Sequence, residues 1–333
     1  MPCHTVLAID SGTTNTRVWL LRAGHVVARS QVEAGVRDTA RTGSVATLRD
    51  GIRLAIERTT GQAGGDPPAF AMAAGMITSG LGLVELPHRL VPVARRDLSQ
   101  AVTPVSFPEA GGLSIYFVPG VRTGRAACSL SEAPATDIIR GEETEVFGAL
   151  ELLGVNGPLL YVHLGSHTKV IRVDRRGRIV GGLTTLAGEL DHVVRTQTIL
   201  SSALPPERMA RADDSLAAQG AEWAEKYGLS RTFFLVRILE QSGRYTPGQL
   251  GSVFAGAVAS ADLAAMRGHG YLRGRHPAVL LSGRPRFQSV WQRQLERAGL
   301  TVTALSPQET ERAFLTGLRQ IVFDSPAFKE RWG

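Results

Sequence analysis

The chain is poor in cysteine, in aromatic residues and in long apolar runs. Only Cys3 and Cys128 occur in 333 residues. Two thiols so far apart have no metal-ligand spacing and make no disulfide framework, as expected of a protein from a reducing compartment. No uninterrupted apolar run approaches the roughly 20 residues that span a bilayer. The opening MPCHTVLAID runs straight into strand-like sequence, without the basic region, apolar stretch and cleavage site of a leader. The expectation is a cytoplasmic protein with no membrane partner. Long basic tracts are missing too. The net charge is +7, but the arginines are scattered (Arg95, Arg96, Arg122, Arg125, Arg175, Arg176, Arg284, Arg286) with no aromatic residues between them. That pattern argues against a nucleic-acid partner and suits anionic small molecules.

What is present is globular: 43% hydrophobic and 20% charged residues, in a chain long enough for two domains that each bury a core. The organisation shows when the chain is laid over itself. LAIDSGTTNTRVWLLRAGHVVARSQVEAG (7–35) aligns without a gap on LYVHLGSHTKVIRVDRRGRIVGGLTTLAG (160–188). Gly12 meets Gly165, Gly24 meets Gly177, and Ala34-Gly35 meets Ala187-Gly188. Val18, Leu20 and Val26 fall on Ile171, Val173 and Ile179. A period this long means two related domains. Each copy reads as three strands with a Gly-Thr/Ser turn after the first, passing into helical sequence at 45–59 and 187–201.

The remainder reads as α/β in both halves. Strand-to-loop transitions are expected at 70–76 and 115–120, and a helix over 137–153. Further helices are expected at 207–226, 230–242, 248–267, 287–299 and 307–321, with strands at 278–285 and 301–305. Turn residues near 151–158 place the linker, giving domains 1–153 and 154–333.

Two domains that each open on a glycine- and hydroxyl-rich hairpin suggest paired phosphate loops around a central cleft. Backbone N–H groups and hydroxyls cradle phosphate oxygens where a missing side chain permits close approach. The candidates are Gly12, Thr13, Thr14 and Asn15 in the first loop, and Gly165, Ser166 and His167 in the second. Asp10, ending the first strand, suits hydrated Mg²⁺, which keeps waters and takes one or two carboxylates. Lys169 can neutralise a transferring phosphoryl group. Arg17, read as pointing inward by alternation, can pair with Asp10 or with a substrate carboxylate. RGEET (140–144) sets two carboxylates, Glu142 and Glu143, at a helix start, where the dipole favours their charged forms. Either can accept a hydroxyl proton. Arg140 beside them suits a bidentate grip on a carboxylate.

DSGTTNTR (10–17), the second glycine hairpin and the late LSG turn together resemble the actin/hexokinase/Hsp70 superfamily, which implies two similar ribonuclease H-like domains and ATP as a ligand. AGMITS (74–79), VPG (118–120), IRGEET (139–144), LGSHTKVI (164–171) and AGEL (187–190) come in the order found in 2-dehydro-3-deoxygalactonokinases, over nearly the whole chain. The resemblance implies a kinase that uses ATP and Mg²⁺ on the 6-hydroxyl of 2-dehydro-3-deoxy-D-galactonate. It implies Glu142 as the base, with Glu143 the alternative, and Met76, Thr78, Ser79 and Gly120 lining the sugar-acid pocket. It also implies Ser282, Gly283 and Arg284 against adenine or ribose, and leaves a homodimer open. The chain departs from the family pattern at Ser11, Thr168 and Val170, which bears on which sugar acid binds. The rival readings are another sugar or sugar-acid kinase, or a non-catalytic ATP-binding regulator on the same fold.

Overall fold

The computed structural model describes residues 5–205, 212–273, 278–283 and 285–332; Cys3 and Arg284 lie outside them. The chain divides into two compact units. One comprises Met1–Asn156, Gly177–Val180 and Glu311–Gly333, the other Gly157–Arg176 and Gly181–Thr310.

In the first unit the predicted hairpins form β1 (Thr5–Ser11), β2 (Thr16–Arg22) and β3 (His25–Val32). Helices α1 (Val36–Thr42) and α2 (Ala46–Ala63) lead to β4 (Phe70–Gly75) and a 3₁₀ turn at Met76–Thr78. Short elements follow: β5 (Arg89–Leu90), α3 (Arg95–Ser99), β6 (Thr103–Ser106), β7 (Ser114–Phe117), β8 (Val121–Thr123) and β9 (Asp137–Ile139). The segment ends with α4 (Glu142–Leu153). The main sheet runs β3-β2-β1-β4-β7-β6, with β1 antiparallel to β2 and parallel to β4. The helix expected over 137–153 is shorter at its start, because 137–139 pairs with β8 in a second sheet, β5-β8-β9. Leu7, Ile9, Val18 and Leu20 on one face of the sheet pack with Leu48, Ile52 and Ala55 of α2.

In the second unit β10 (Leu159–Leu164), β11 (Thr168–Val173) and β12 (Ile179–Thr185) repeat the hairpins. They are followed by α5 (Ala187–Gln197), α6 (Asp214–Tyr227), α7 (Leu229–Gln241), α8 (Pro247–Gly268), β13 (Ala278–Gly283), α9 (Pro285–Arg297) and β14 (Val302–Ala304). Sheet order is β12-β11-β10-β13-β14. The strand order at the heart of each sheet is the same: an antiparallel hairpin whose first strand runs parallel to a later strand, β4 or β13. Helix α8 is the longest apolar element of this unit. By length and composition it could cross a membrane, but 78% of its apolar window is buried inside the protein. It is the core helix of its unit, with Ala255, Ala259, Leu263 and Met266 packed against Val162 and Val170.

The last two helices, α10 (Pro307–Phe323) and α11 (Pro326–Trp332), correct the expected boundary, because 311–333 joins the first unit. Small residues permit this. A Cβ on Gly148 of α4 would lie 1.8 Å from the carbonyl oxygen of Ala313, and one on Gly317 would lie 1.9 Å from that of Thr144. The two helix backbones are therefore in direct contact. Beyond them, Phe328 and Trp332 pack on Phe70, and the Trp332 indole donates to the Tyr116 hydroxyl at 2.9 Å. Gly148→Ala gains roughly 1 kcal/mol of helix propensity. The inserted methyl has no room, however, and overpacking of this kind destabilises by about 1–3 kcal/mol or more. We expect a net loss of stability, read as a lower urea midpoint.

Candidate active site

The first loop is held by its own backbone and by the start of α1. Gly12 N donates to Asn15 O at 2.9 Å, while Val36 N and Arg37 N donate to the carbonyls of Gly12 and Thr13 at 3.2 and 2.9 Å. A Cβ on Gly35 would fall 2.4 Å from Thr13 O, so only glycine admits this approach. Around the loop runs a polar chain. Asn15 donates to the Thr14 hydroxyl at 2.8 Å, Gln31 donates to Asn15 Oδ1 at 3.1 Å, and Arg17 donates to Gln31 at 3.3 Å and to Asp10 Oδ2 at 3.2 Å. Arg17 pairs with Asp10, one of the two partners expected of it, and its side chain is 51% exposed against 24% for Asp10. Such an exposed pair contributes little to stability.

The second loop reproduces these features in its own unit. Gly165 N donates to His167 O at 3.1 Å, and Glu189 N, near the start of α5, donates to Ser166 O at 2.8 Å. A Cβ on Gly188 would fall 2.1 Å from Gly165 O, as Gly35 stands to Thr13. Glu189 also reaches His167 Nε2 at 3.5 Å. The parallel strand ends alike too: Gly75 and Gly283 have φ of 99° and 101°, and a Cβ would strike the carbonyls of Ser11 and Leu164 respectively. Ser282 is buried, with its hydroxyl 3.1 Å from His163 Nδ1.

The repeat is real, but it is not gapless. Asp10 pairs in register with Arg17, whereas His163 pairs with Lys169. The first loop is thus one residue longer than the second. The stretch from the second strand to the glycine of the following turn makes up the difference, being one residue longer from Lys169 to Gly177 than from Arg17 to Gly24. Val18 therefore corresponds to Val170, not to Ile171, and these two are the residues found in the respective cores. Lys169 stands opposite His163 as Arg17 stands opposite Asp10, but it is buried.

The acidic helix start lies beside Asp10. Gly141, the residue before α4, has φ of 105°, and a Cβ there would be 3.1 Å from Gly75 Cα. A Cβ on Gly75 would in turn be 3.2 Å from Asp10 Oδ1. Two glycines in contact thus bring the start of α4 against the first loop. At this start the two glutamates differ. Glu143 is fully buried, accepts from Gly141 N at 2.7 Å and takes the Thr144 hydroxyl at 3.2 Å. Burial, then the Glu142 charge, pushes its carboxyl up to about 8, so it stays protonated near neutrality. Glu142 is partly exposed and, among the described residues, accepts from Arg140 N at 3.3 Å.

One consequence is a pH dependence of stability. The folded chain holds the Glu143 proton up to about 8, against an ordinary value of 4.5. Between those values the folded state binds more protons, so this contribution is complete below 4.5 and is lost as pH rises through 8. Glu143→Gln is expected to remove that decline, seen as a flatter pH dependence of the urea unfolding free energy than in the parent protein.

Arg140, expected to grip a substrate carboxylate, is turned into the protein. Its guanidinium donates to the carbonyl and hydroxyl of Thr78 (the latter at 2.7 Å) and to Leu86 O at 2.9 Å, and lies 3.4 Å from His88 Nδ1. Thr78 in turn donates to Gly75 O at 3.0 Å, and Ser79 to Met76 O at 2.7 Å. Met76, Thr78 and Ser79 therefore lie on a turn directly after Gly75, fastened by Arg140. A Cβ on Gly120 would strike Ile139 O at 2.4 Å and Arg140 Cγ at 2.6 Å, which explains that glycine through packing on Arg140.

Two ribonuclease H-like units, each with a glycine-hydroxyl hairpin turn, make up a fold of the actin/hexokinase type. The profile of the 2-keto-3-deoxy-galactonokinase family matches residues 10–321. The chain belongs to that family, and it is a sugar-acid kinase. It is 27% identical to the 2-dehydro-3-deoxygalactonokinase of Escherichia coli strain K12, over 95% of this chain and 96% of that one. Among solved structures, a protein from Sinorhizobium meliloti described as a 2-dehydro-3-deoxygalactonokinase superposes with a TM-score of 0.73. It is 22% identical, over 96% of this chain and 97% of the other. The activator of 2-hydroxyisocaproyl-CoA dehydratase from Clostridium difficile, solved with bound ADPNP, shares the fold at a TM-score of 0.52. Its identity is 13%, with 99% and 98% of the chains covered.

Proposed function

We propose that the protein transfers the γ-phosphoryl group of ATP to the 6-hydroxyl of 2-dehydro-3-deoxy-D-galactonate. The observation that supports this reading is the Gly75–Gly141 contact, which brings the backbone at the start of α4 against the end of the strand that carries Asp10. Phosphoryl transfer to an alcohol needs these groups: donors for the phosphates, a carboxylate for a cation and a base for the hydroxyl proton. Glu142 accepts that proton, because it is the partly exposed carboxylate of the pair and Glu143 is neutral and enclosed. Main-chain N–H groups of 13–15 and 166–167, with the Thr13, Thr14 and Ser166 hydroxyls, hold phosphate oxygens. Lys169 supplies a positive charge, and Ser282 and Gly283 face the nucleoside.

Asp10 fits Mg²⁺, since a single half-open carboxylate suits an ion that keeps its waters and binds phosphate. No group of three or more His, Cys, Asp or Glu side chains gathers into an all-protein metal cage among the described residues. Bound there, Mg²⁺ would neutralise charge on the transferring phosphates. The turn 76–79 meets the sugar acid, with Arg140 holding its shape. An ATP-consumption assay across 2-keto-3-deoxy sugar acids tests the reading. Turnover is expected with the galactonate derivative, and no turnover with any sugar acid would overturn it.

A further inference from the structure

Helix α8 carries one residue out of character with its buried stripe. Ala255, Ala259, Leu263 and Met266 pack on the sheet of the second unit, yet Asp262 lies on the same face and is only 6% exposed. Its carboxylate meets the hydroxyls of Thr168 and Thr185. Neither the Thr185 hydroxyl nor Asp262 Oδ2 has a partner of strict hydrogen-bond geometry among the described residues. Burial raises the carboxyl to about 6, with the two threonines opposing the rise. An enclosed carboxylate with an unpartnered oxygen is unfavourable for folding, so packing does not account for it.

Its place in the repeat does. Thr168 is the residue at which the second loop re-enters the sheet, and Thr185 ends β12, three residues before the Gly188 that lies on the loop. In the first unit the matching threonine, Thr16, makes this tie unaided. Its hydroxyl donates to Ala34 O at 2.8 Å, beside Gly35, and lies 2.9 Å from the Ser11 hydroxyl. Ser11 is replaced in the second copy by Leu164, which offers no hydroxyl. There the structure uses a side chain from outside the repeat to join the loop exit to the strand leading to Gly188.

We propose that Asp262 is a positioning residue for the second phosphate loop, fixing the backbone from Gly165 to Lys169 in the form that receives ATP. This rests on the reading of that loop as an ATP site. Side-chain bonds that clamp a loop act on the ligand it receives, so the effect falls on ATP and spares the sugar acid.

The test measures KM for ATP and for the sugar acid separately in Asp262→Ala, Asp262→Asn and Thr168→Val, with Lys169→Met as a control on the loop. Asp262→Ala and Thr168→Val should each raise KM for ATP roughly tenfold, the size of one charge-assisted hydrogen bond, with KM for the sugar acid unchanged. The two together should be no worse than either alone. Asp262→Asn, which keeps an acceptor, should recover most of the loss. An unchanged KM for ATP in Asp262→Ala and Thr168→Val, or equal changes in both KM values, overturns the proposal. If Asp262→Ala does not fold, Thr168→Val decides by the same criterion. An inert Lys169→Met would instead remove the loop reading on which the proposal stands.

Discussion

Glu142→Gln lowers kcat by roughly 10²–10⁴-fold, the range for loss of a positioned general base, while KM for ATP changes little. The expectation follows from how the two neighbouring glutamates are divided. A pair of carboxyl groups whose surroundings push their affinities for a proton apart divides the acid and base roles between them. Here Glu143 is enclosed, bonded to Gly141 N and held protonated to about 8, so it adds no second negative charge at the helix start. Glu142, the first residue of α4, is the partly exposed carboxylate of the pair, at a helix end whose dipole favours negative charge. Glu143→Gln, nearly isosteric with the neutral acid, should retain most activity. If instead Glu143→Gln were inactive and Glu142→Gln active, the roles would be reversed. The comparison is a pair of single-turnover rate measurements at saturating ATP.

Asp10→Asn is expected to reduce kcat by on the order of 10²-fold or more, since charge stabilisation by a bound metal is worth several kcal/mol. The loss should be partly relieved by raising Mg²⁺, because the amide still offers one oxygen but no charge. Arg17→Ala provides the contrast. The Arg17–Asp10 pair is 3.2 Å long and half exposed on the arginine side, so its removal should leave kcat within a fewfold. Titrating Mg²⁺ against the initial rate in all three proteins separates the two outcomes. Equal losses in Asp10→Asn and Arg17→Ala would mean that the pair acts as a structural tie and that Asp10 does not hold the metal.

Much of this was legible in the sequence because glycine leaves a strong signal. Gly35 and Gly188 recur where one stretch of backbone must touch another, and these matching contacts are the physical content of the repeat. Three kinds of feature were not legible. The register across each hairpin depends on turn length, and two opposite one-residue differences produced an alignment without gaps. The allegiance of 311–333 depends on Gly148 and Gly317, whose fit between helices separated by more than 150 residues leaves no local pattern. Arg140 and Asp262 depend on direction of burial. A guanidinium beside two glutamates reads as a ligand clamp until its donors are seen on Thr78 and Leu86. A lone aspartate in ADLAAM reads as a solvated helix position until the helix proves buried on nearly every side.

The central claim is transfer of the γ-phosphoryl of ATP to one hydroxyl of one sugar acid. Its most direct measurement is phosphorus–proton correlation NMR on the product of a reaction with ATP, Mg²⁺ and 2-dehydro-3-deoxy-D-galactonate. The account predicts one ADP per product, with the new phosphorus coupled to the two protons on C6. Phosphorus coupled to any other position, or ADP released with inorganic phosphate and an unmodified sugar acid, would contradict it.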